Sequence, residues 1–458
     1  MSTSLSVRSY SYSQIWAIAF PILISTLMEQ LIGMTDTAFL GRVGEIELGA
    51  SALGGIFYIT VFMLGLGFSI GAQILMGRRN GEGNYERIGT IFYHSLAFLL
   101  LMAALLLMAT RLFAPFIMEH IIQSHQVYVA ANDYLHWRVF GFFFAFVNCM
   151  YRAFYVATTH TRTLTLNSLV MVGSNIVFNY ILIFGKFGVP AFGIAGAAMG
   201  SCMAEGVSTL FFVVYTRCRI PYTKYGLGRL PKFRLHLLGK ILGISMWTMV
   251  QNFLSLATWF LFFLSVEHLG ERDLAATNII RNISSFTFMT VIALASTAST
   301  LVSNLMGQGE IQAVGPMLRR TITLGFFILV PIIALIFLFG EQVMSIFTND
   351  ASLIEAGRGA LYVMLSSYIL TIPAQILFHS VSGTGNTRTA LAIEFAALFI
   401  YCIFIGIAIF GYRIPLTLCW LSEHVYGFFA LLFSVIYLKW GNWEGKKIDG
   451  RASCRERV

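Results

Sequence analysis

Charge is scarce in this chain: Asp, Glu, Lys and Arg make up 11% of its 458 residues, where a water-soluble domain carries roughly 25%. That scarcity excludes a globule solvated on all sides. The 57% of residues that are hydrophobic would leave apolar faces that no single core can bury. Cysteine is equally sparse. Cys149, Cys202, Cys218, Cys402, Cys419 and Cys454 are scattered with no CxxC pair, so neither a disulfide frame nor a metal site follows. HExxH is also absent, and no nucleophile or metal constellation lies within the apolar runs, which excludes an intramembrane enzyme. No segment joins a basic face to interleaved aromatics, so the net charge of +9 does not signal nucleic acid. The tail before residue 14 holds one Arg, and the first long apolar run carries Glu29 and Asp36 with no small-residue cleavage pattern. No removable signal peptide is read there.

What is present is a series of long apolar runs, with mean hydropathy +0.76. A helix needs about 20 largely apolar residues to cross ~30 Å of hydrocarbon. Breaking the runs at charged and Gly/Pro-rich stretches predicts twelve spans, near 14–40, 46–77, 89–113, 128–157, 164–184, 192–215, 239–266, 274–305, 318–340, 355–380, 389–410 and 415–438. The expected fold is therefore an all-α membrane protein. Residues 1–13 read as a tail, 14–216 as an N-terminal six-helix lobe, 217–238 as an inter-lobe loop, 239–440 as a C-terminal six-helix lobe, and 441–458 as a second tail, whose polar end near 450–458 looks appended.

Lys and Arg in short loops set orientation. On the side of the N-terminus lie 21 of them, including Arg78, Arg79, Arg87, Arg162, Arg319, Arg320 and seven between Arg217 and Lys240; the other side has 6, and Arg138, Arg152 and Arg281 fall inside spans to complete the 30. Both termini are expected to be cytoplasmic, in an inner membrane.

The chain also matches itself at a constant offset of 226 residues. Gly44-Glu45 falls on Gly270-Glu271, Leu48 on Leu274, Ala50 on Ala276, Phe62-Met63 on Phe288-Met289, Ala72 on Ala298, Leu75 on Leu301, Gly81 and Gly83 on Gly307 and Gly309, and Gly89 on Gly315. The same offset carries Thr161-Arg162-Thr163 onto Thr387-Arg388-Thr389 and Phe184-Gly185 onto Phe410-Gly411. Six helices separate partners, so both halves enter from the same side and the repeat is parallel. Two lobes with a cleft between them suit alternating access; a channel's selectivity ring has no such symmetry.

Pro21 in the opening helix, Thr35-Asp36-Thr37 before Gly41, the Leu48-Gly-Ala-Ser and Leu274-Ala-Ala-Thr-Asn278 starts, and Gly383-Thr-Gly-Asn-Thr387 resemble the multidrug and toxic compound extrusion (MATE) transporters. So does Asn175-Ile-Val-Phe-Asn179-Tyr, followed by Phe184-Gly185 and Gly193-Ile-Ala-Gly-Ala-Ala198. The resemblance covers about residues 14 to 440 and implies a cation-coupled antiporter that expels lipophilic, often cationic, organic compounds. The chain looks more like the DinF-like branch than the NorM branch. NorM-like proteins place acids on helices 7 and 10, where this chain offers Gln251, Asn252, Thr371 and Gln375.

An intramembrane carboxylate costs at least ~2.5 kcal/mol, so one that persists usually faces a cavity or a partner. The resemblance implies that Asp36 is the coupling residue and that Asn175 and Asn179 support it; spacing of four puts both amides on one helix face. Asp36 alternatively caps the outer helix end in water. Glu29, seven residues earlier on the same face, either completes the cation site or pairs with Arg152 or Arg281. Arg138, Arg152 and Arg281 either neutralise acids or snorkel, and Glu394 reads as an interface residue. Met246, Trp247, Gln251, Trp259, Asn278, Arg281 and Met289 are expected to line an adaptable substrate cavity, since Met repacks and aromatic faces attract cations. The coupling ion is expected to be a proton, with sodium as the alternative and a lipid-linked oligosaccharide flippase as a further one. Otherwise the reading implies no cofactor, a lipid bilayer and small organic molecules as partners, and a monomer.

Overall fold

The computed structural model describes residues 10–122 and 124–445. Cys454 and nearly all of the two tails lie outside these. Fifteen α-helices follow in order: α1 Tyr12–Leu40, α2 Glu45–Gly81, α3 Glu86–Ile121, α4 His125–Arg138, α5 Gly141–Ala157, α6 Arg162–Phe184, α7 Gly193–Arg219, α8 Leu235–Glu267, α9 Glu271–Gln308, α10 Val314–Leu338, α11 Gly340–Ser345, α12 Ala351–Gly383, α13 Thr387–Ile405, α14 Leu416–Cys419 and α15 Ser422–Trp440. There is no strand among the described residues. Among the described residues eleven helices are long and apolar enough to cross a membrane, and the bent pair α4 and α5, taken as one span, makes a twelfth. Several exceed one bilayer: α2 has 37 residues, about 55 Å at 1.5 Å each, so such helices tilt or protrude.

The expected single span 128–157 is two helices meeting at 51°. At the break Phe140 N reaches back only to Trp137 O and Phe142 N to Val139 O, a tightened turn with no proline to announce it. The span expected over 389–410 ends in a π-helical turn at Gly406–Gly411. Elsewhere the helix ends follow local chemistry. Gly185 closes α6 in the left-handed region at φ 66°, where only Gly sits without strain. Asp350 caps α12 by accepting from Ser352 N at 2.9 Å, and the Ser352 hydroxyl together with that backbone bond holds its carboxyl below the usual carboxylate range.

The chain forms two compact units. One comprises Ala17–Asn80 and Asn84–Phe253; the other runs to Trp16, includes Gly81–Gly83, and resumes at Leu254. The changeover between these units falls inside α8. The first half of α8 belongs with α2, where a Cβ on Gly67 would meet the Met249 backbone at 2.7 Å. Thr248 Oγ1 uses that close approach to donate to Gly67 O at 2.6 Å. The 217–238 segment is pinned to α3: Tyr93 donates to Leu227 O (2.6 Å) and Arg234 N donates to His94 Nε2 (2.9 Å). In the C-terminal unit α9 packs along α12, so closely that a Cβ on Gly383 would run into the Ser299 backbone, the approach that small residues allow between membrane helices.

Candidate functional site

Within the N-terminal unit, α1, α6 and α7 bring four polar side chains into a closed ring. Asn179 Nδ2 donates to Asp36 Oδ1 (2.5 Å) and to Asn175 Oδ1 (3.2 Å). Asn175 Nδ2 donates to Ser201 Oγ (3.3 Å), and Ser201 Oγ returns to Asp36 Oδ2 (3.1 Å). Asn175 and Asn179 are 1% and 0% exposed. Gly200 is what lets α7 sit here, because a Cβ on it would run into Asn179 Oδ1. Asp36 is therefore held inside its unit and is not a bare cap at a helix end.

Every direct partner of Asp36 is neutral. Arg138 is close enough to act on it electrostatically, but its guanidinium is committed elsewhere. It grips Glu205 bidentately, Nη1 to Oε2 at 3.0 Å and Nη2 to Oε1 at 2.6 Å, and lies 3.7 Å over the Tyr58 ring. The side chains of the pair are 11% and 7% exposed. A methyl group on Gly141 would land on both partners. Arg138 thus neutralises an acid, and the acid is Glu205.

Glu29 does not enter the ring. Arg152 Nη1 holds it at 2.7 Å, and Ser25 Oγ links it (3.4 Å) to Ser168 (2.7 Å). Of the expected cavity residues, Met246, Trp247 and Gln251 belong to the N-terminal unit, with Met246 exposed and Gln251 buried. Trp259, Asn278, Arg281 and Met289 belong to the other. There Arg281 lies 5.7 Å from the Trp259 ring and 5.4 Å from Phe263, while Asn278 is exposed and Met289 half-buried.

Two site features escaped the sequence reading. Ser201 gave no signal, being a small residue in a small-residue run. Glu394 is not an interface residue: it is 1% exposed, accepting from Ser255 Oγ (2.5 Å) and Tyr426 OH (2.9 Å). At the repeat position of Asp36 the C-terminal unit has Phe262, packed against Trp420 and Tyr401 at 5.3 and 6.5 Å. Tyr401 itself is the repeat partner of Asn175. An aromatic cluster thus replaces the polar ring.

A bundle of membrane-length helices in two repeats, with a hydrogen-bonded carboxylate in each, is the architecture of a secondary transporter. The MatE family model matches residues 21–181 and again 248–407, a doubling that falls on the 226-residue repeat, and the chain belongs to this family. It is 24% identical over 444 residues to the probable multidrug resistance protein NorM of Thermotoga maritima, covering 96% of this chain and 94% of that one. It is also 24% identical over 383 residues to the probable multidrug resistance protein YoeA of Bacillus subtilis, 82% of each. Among solved structures, an outward-facing multidrug resistance MATE family transporter of the MOP superfamily superposes with TM-score 0.84 at 18% identity, over 96% of this chain and 98% of that one. A MOP superfamily transporter from Pyrococcus furiosus, described by a reversed polarity of its binding pocket, also gives 0.84 at 18%, over 96% and 99%.

Proposed function

We propose that this protein is a secondary active multidrug efflux transporter, exchanging lipophilic and cationic organic compounds for protons by alternating access. The observation that carries the reading is the ring on Asp36. The donors to its carboxylate are one amide, Asn179, and one hydroxyl, Ser201, so the charge is balanced by no cation in contact. Protonation is the simplest way to neutralise it. The ring is also built to follow that change. Ser201 Oγ donates to the carboxylate and, by rotating, accepts from the acid. Asn179 Oδ1, buried with no hydrogen-bond partner, offers a second acceptor.

Asp36, Asn175 and Asn179 are assigned to coupling, with Ser201 added; Glu29, held by Arg152, is left to a supporting role. Met246, Trp247, Gln251, Trp259, Asn278, Arg281 and Met289 remain the proposed substrate-lining set. The absence of acids from Gln251, Asn252, Thr371 and Gln375 favours the DinF-like branch. A flippase for lipid-linked oligosaccharides would use free cationic side chains for phosphates; Arg138 and Arg152 are held by acids, which argues against it. The deciding experiment is efflux of a fluorescent organic cation from proteoliposomes under separate ion gradients. An acid-outside pH gradient is expected to drive efflux without sodium. Full efflux on a sodium gradient at equal pH, undiminished when the proton gradient is collapsed, would overturn the assignment.

The inner membrane is the proposed location, with a single chain as the working unit. Both termini and the 217–238 segment, with its basic residues from Arg217 to Lys240, are assigned to the cytoplasm. A cysteine placed at Lys232 is then expected to resist impermeant maleimide in intact cells and to react after permeabilisation. Labelling before permeabilisation would invert the topology.

A further inference from the structure

The 226-residue offset pairs Glu29 with Ser255, Ser168 with Glu394, and Arg152 with Phe378. Each unit therefore holds one acid and one serine at the same two repeat positions, with the roles exchanged. In the N-terminal unit the acid stands on α1 and the serine on α6, joined through Ser25. In the C-terminal unit the serine stands on α8 and the acid on α13, bonded directly at 2.5 Å. The neutralising groups differ in kind. Glu29 has Arg152 at 2.7 Å; at the position of Arg152 the C-terminal unit has Phe378, 2% exposed, which cannot balance charge.

Glu394 sits seven residues into α13, about 10 Å along the helix. The groups facing it come from three elements. Ser255 on α8 donates to Oε1, and Tyr426 on α15 donates to Oε2 while accepting from Gln375 Nε2 on α12 at 3.4 Å. Beyond them, Tyr401 lies 6.3 Å from Tyr426, ring to ring, and Glu423 acts electrostatically on both tyrosines. The titratable group bonded to Glu394 is thus a phenol, with a second phenol and an acid beyond it. His379 on α12 makes its ring contact with Phe378, and no Lys, Arg or His ion pair to Glu394 exists among the described residues.

We propose that Glu394 is a second proton-carrying carboxylate, in the C-terminal unit, where the swapped repeat geometry leaves a buried acid bonded to two hydroxyls and no cation. A buried carboxylate without a cation is strongly disfavoured against its neutral form. The protonated acid keeps both contacts, because Ser255 can rotate to accept its proton while Tyr426 still donates. Sodium fits less well: one carboxylate and two hydroxyls fall short of the several hard oxygens that replace its water shell. The inference deepens the proton-antiport reading, but its test reads protonation itself.

Dicyclohexylcarbodiimide adds across its N=C bond to a protonated carboxyl in an apolar setting, and the O-acylisourea rearranges to a stable N-acylurea. The purified full-length protein is treated across a pH series, with and without sodium, and digested for mass spectrometry. The expected result is an adduct on Glu394 that forms at acid pH, fades as pH rises, ignores sodium, and is lost from Glu394→Gln. No adduct at any pH under conditions that label Asp36 would overturn the proposal. So would an adduct suppressed by sodium at constant pH, which would mark a metal-cation site. Glu394→Gln is expected to unfold at the wild-type temperature, since the amide oxygen still accepts from Ser255, and to lose most pH-driven efflux. Wild-type efflux in that variant would also overturn the proposal. If sodium proved to drive transport through Asp36, the pH-dependent adduct on Glu394 would still be decided by the labelling alone.

Discussion

Asp36→Asn is expected to abolish gradient-driven efflux while the protein inserts and folds as before. The argument is local. The asparagine oxygen accepts from Asn179 as Oδ1 does now at 2.5 Å, and its NH2 replaces Oδ2 opposite Ser201. The serine hydroxyl, which donates there at 3.1 Å, rotates to accept. All four ring members keep partners, and no ion pair is lost because Asp36 makes none. What disappears is the capacity to take a proton on one side and release it on the other. Asp36→Ala is a different perturbation, since it removes the acceptor of one Asn179 N–H and of the Ser201 hydroxyl, at a cost of about 1–3 kcal/mol. The measurement is efflux from proteoliposomes at matched protein level, beside the thermal midpoint of the purified protein. Normal efflux in Asp36→Asn would remove Asp36 from the mechanism.

The parts of this picture visible in the sequence are those written in periodicity or in the rarity of charge. Long apolar runs marked the spans, the 226-residue offset marked the duplication, and Asn175 with Asn179 stood four apart beside an acid in an apolar helix. What stayed hidden depends on which helices touch. Ser201 joins Asp36 from 165 residues away, and a serine among Gly and Ala carries no hydropathy signal. Glu205 and Arg138 lie 67 residues apart, and neither names the other. Glu394 was misread because depth along a helix says nothing of which face is covered; Ser255 and Tyr426 decide that. A signal was available in the offset itself, which sets Glu394 against Ser168 and Ser255 against Glu29. The bend between α4 and α5 was invisible for another reason. Asn132, Asp133, His136 and Arg138 precede it, but polar residues lower hydropathy without turning a helix, and hydropathy measures solvent preference, not helix direction.

Breaking the Arg138–Glu205 pair is expected to have the largest effect on stability. Two opposite charges, each nearly buried, satisfy one another with two parallel bonds, and Tyr58 adds both the aromatic face under the guanidinium and a hydroxyl donated to Glu205 Oε1 at 3.4 Å. Their mutual attraction mostly offsets the loss of water, so the pair as a whole contributes little net stability. Removing one member is another matter, because the survivor stays buried and unpaired. Glu205→Ala is expected to destabilise the protein by about 3–5 kcal/mol, read as a fall in the thermal midpoint and in the yield of monodisperse protein. Arg138→Met should do the same from the other side. The double variant Arg138→Met/Glu205→Leu fills the space with apolar groups and leaves no charge behind, so its midpoint should return most of the way to wild type. Because Asp36 takes its hydrogen bonds from Asn179 and Ser201 and none from Arg138, the double variant should also retain pH-driven efflux. If Glu205→Ala unfolds at the wild-type temperature, the pair is not buried as described. If the double variant is stable yet inactive, Arg138 serves Asp36 directly, and the coupling site extends to α4.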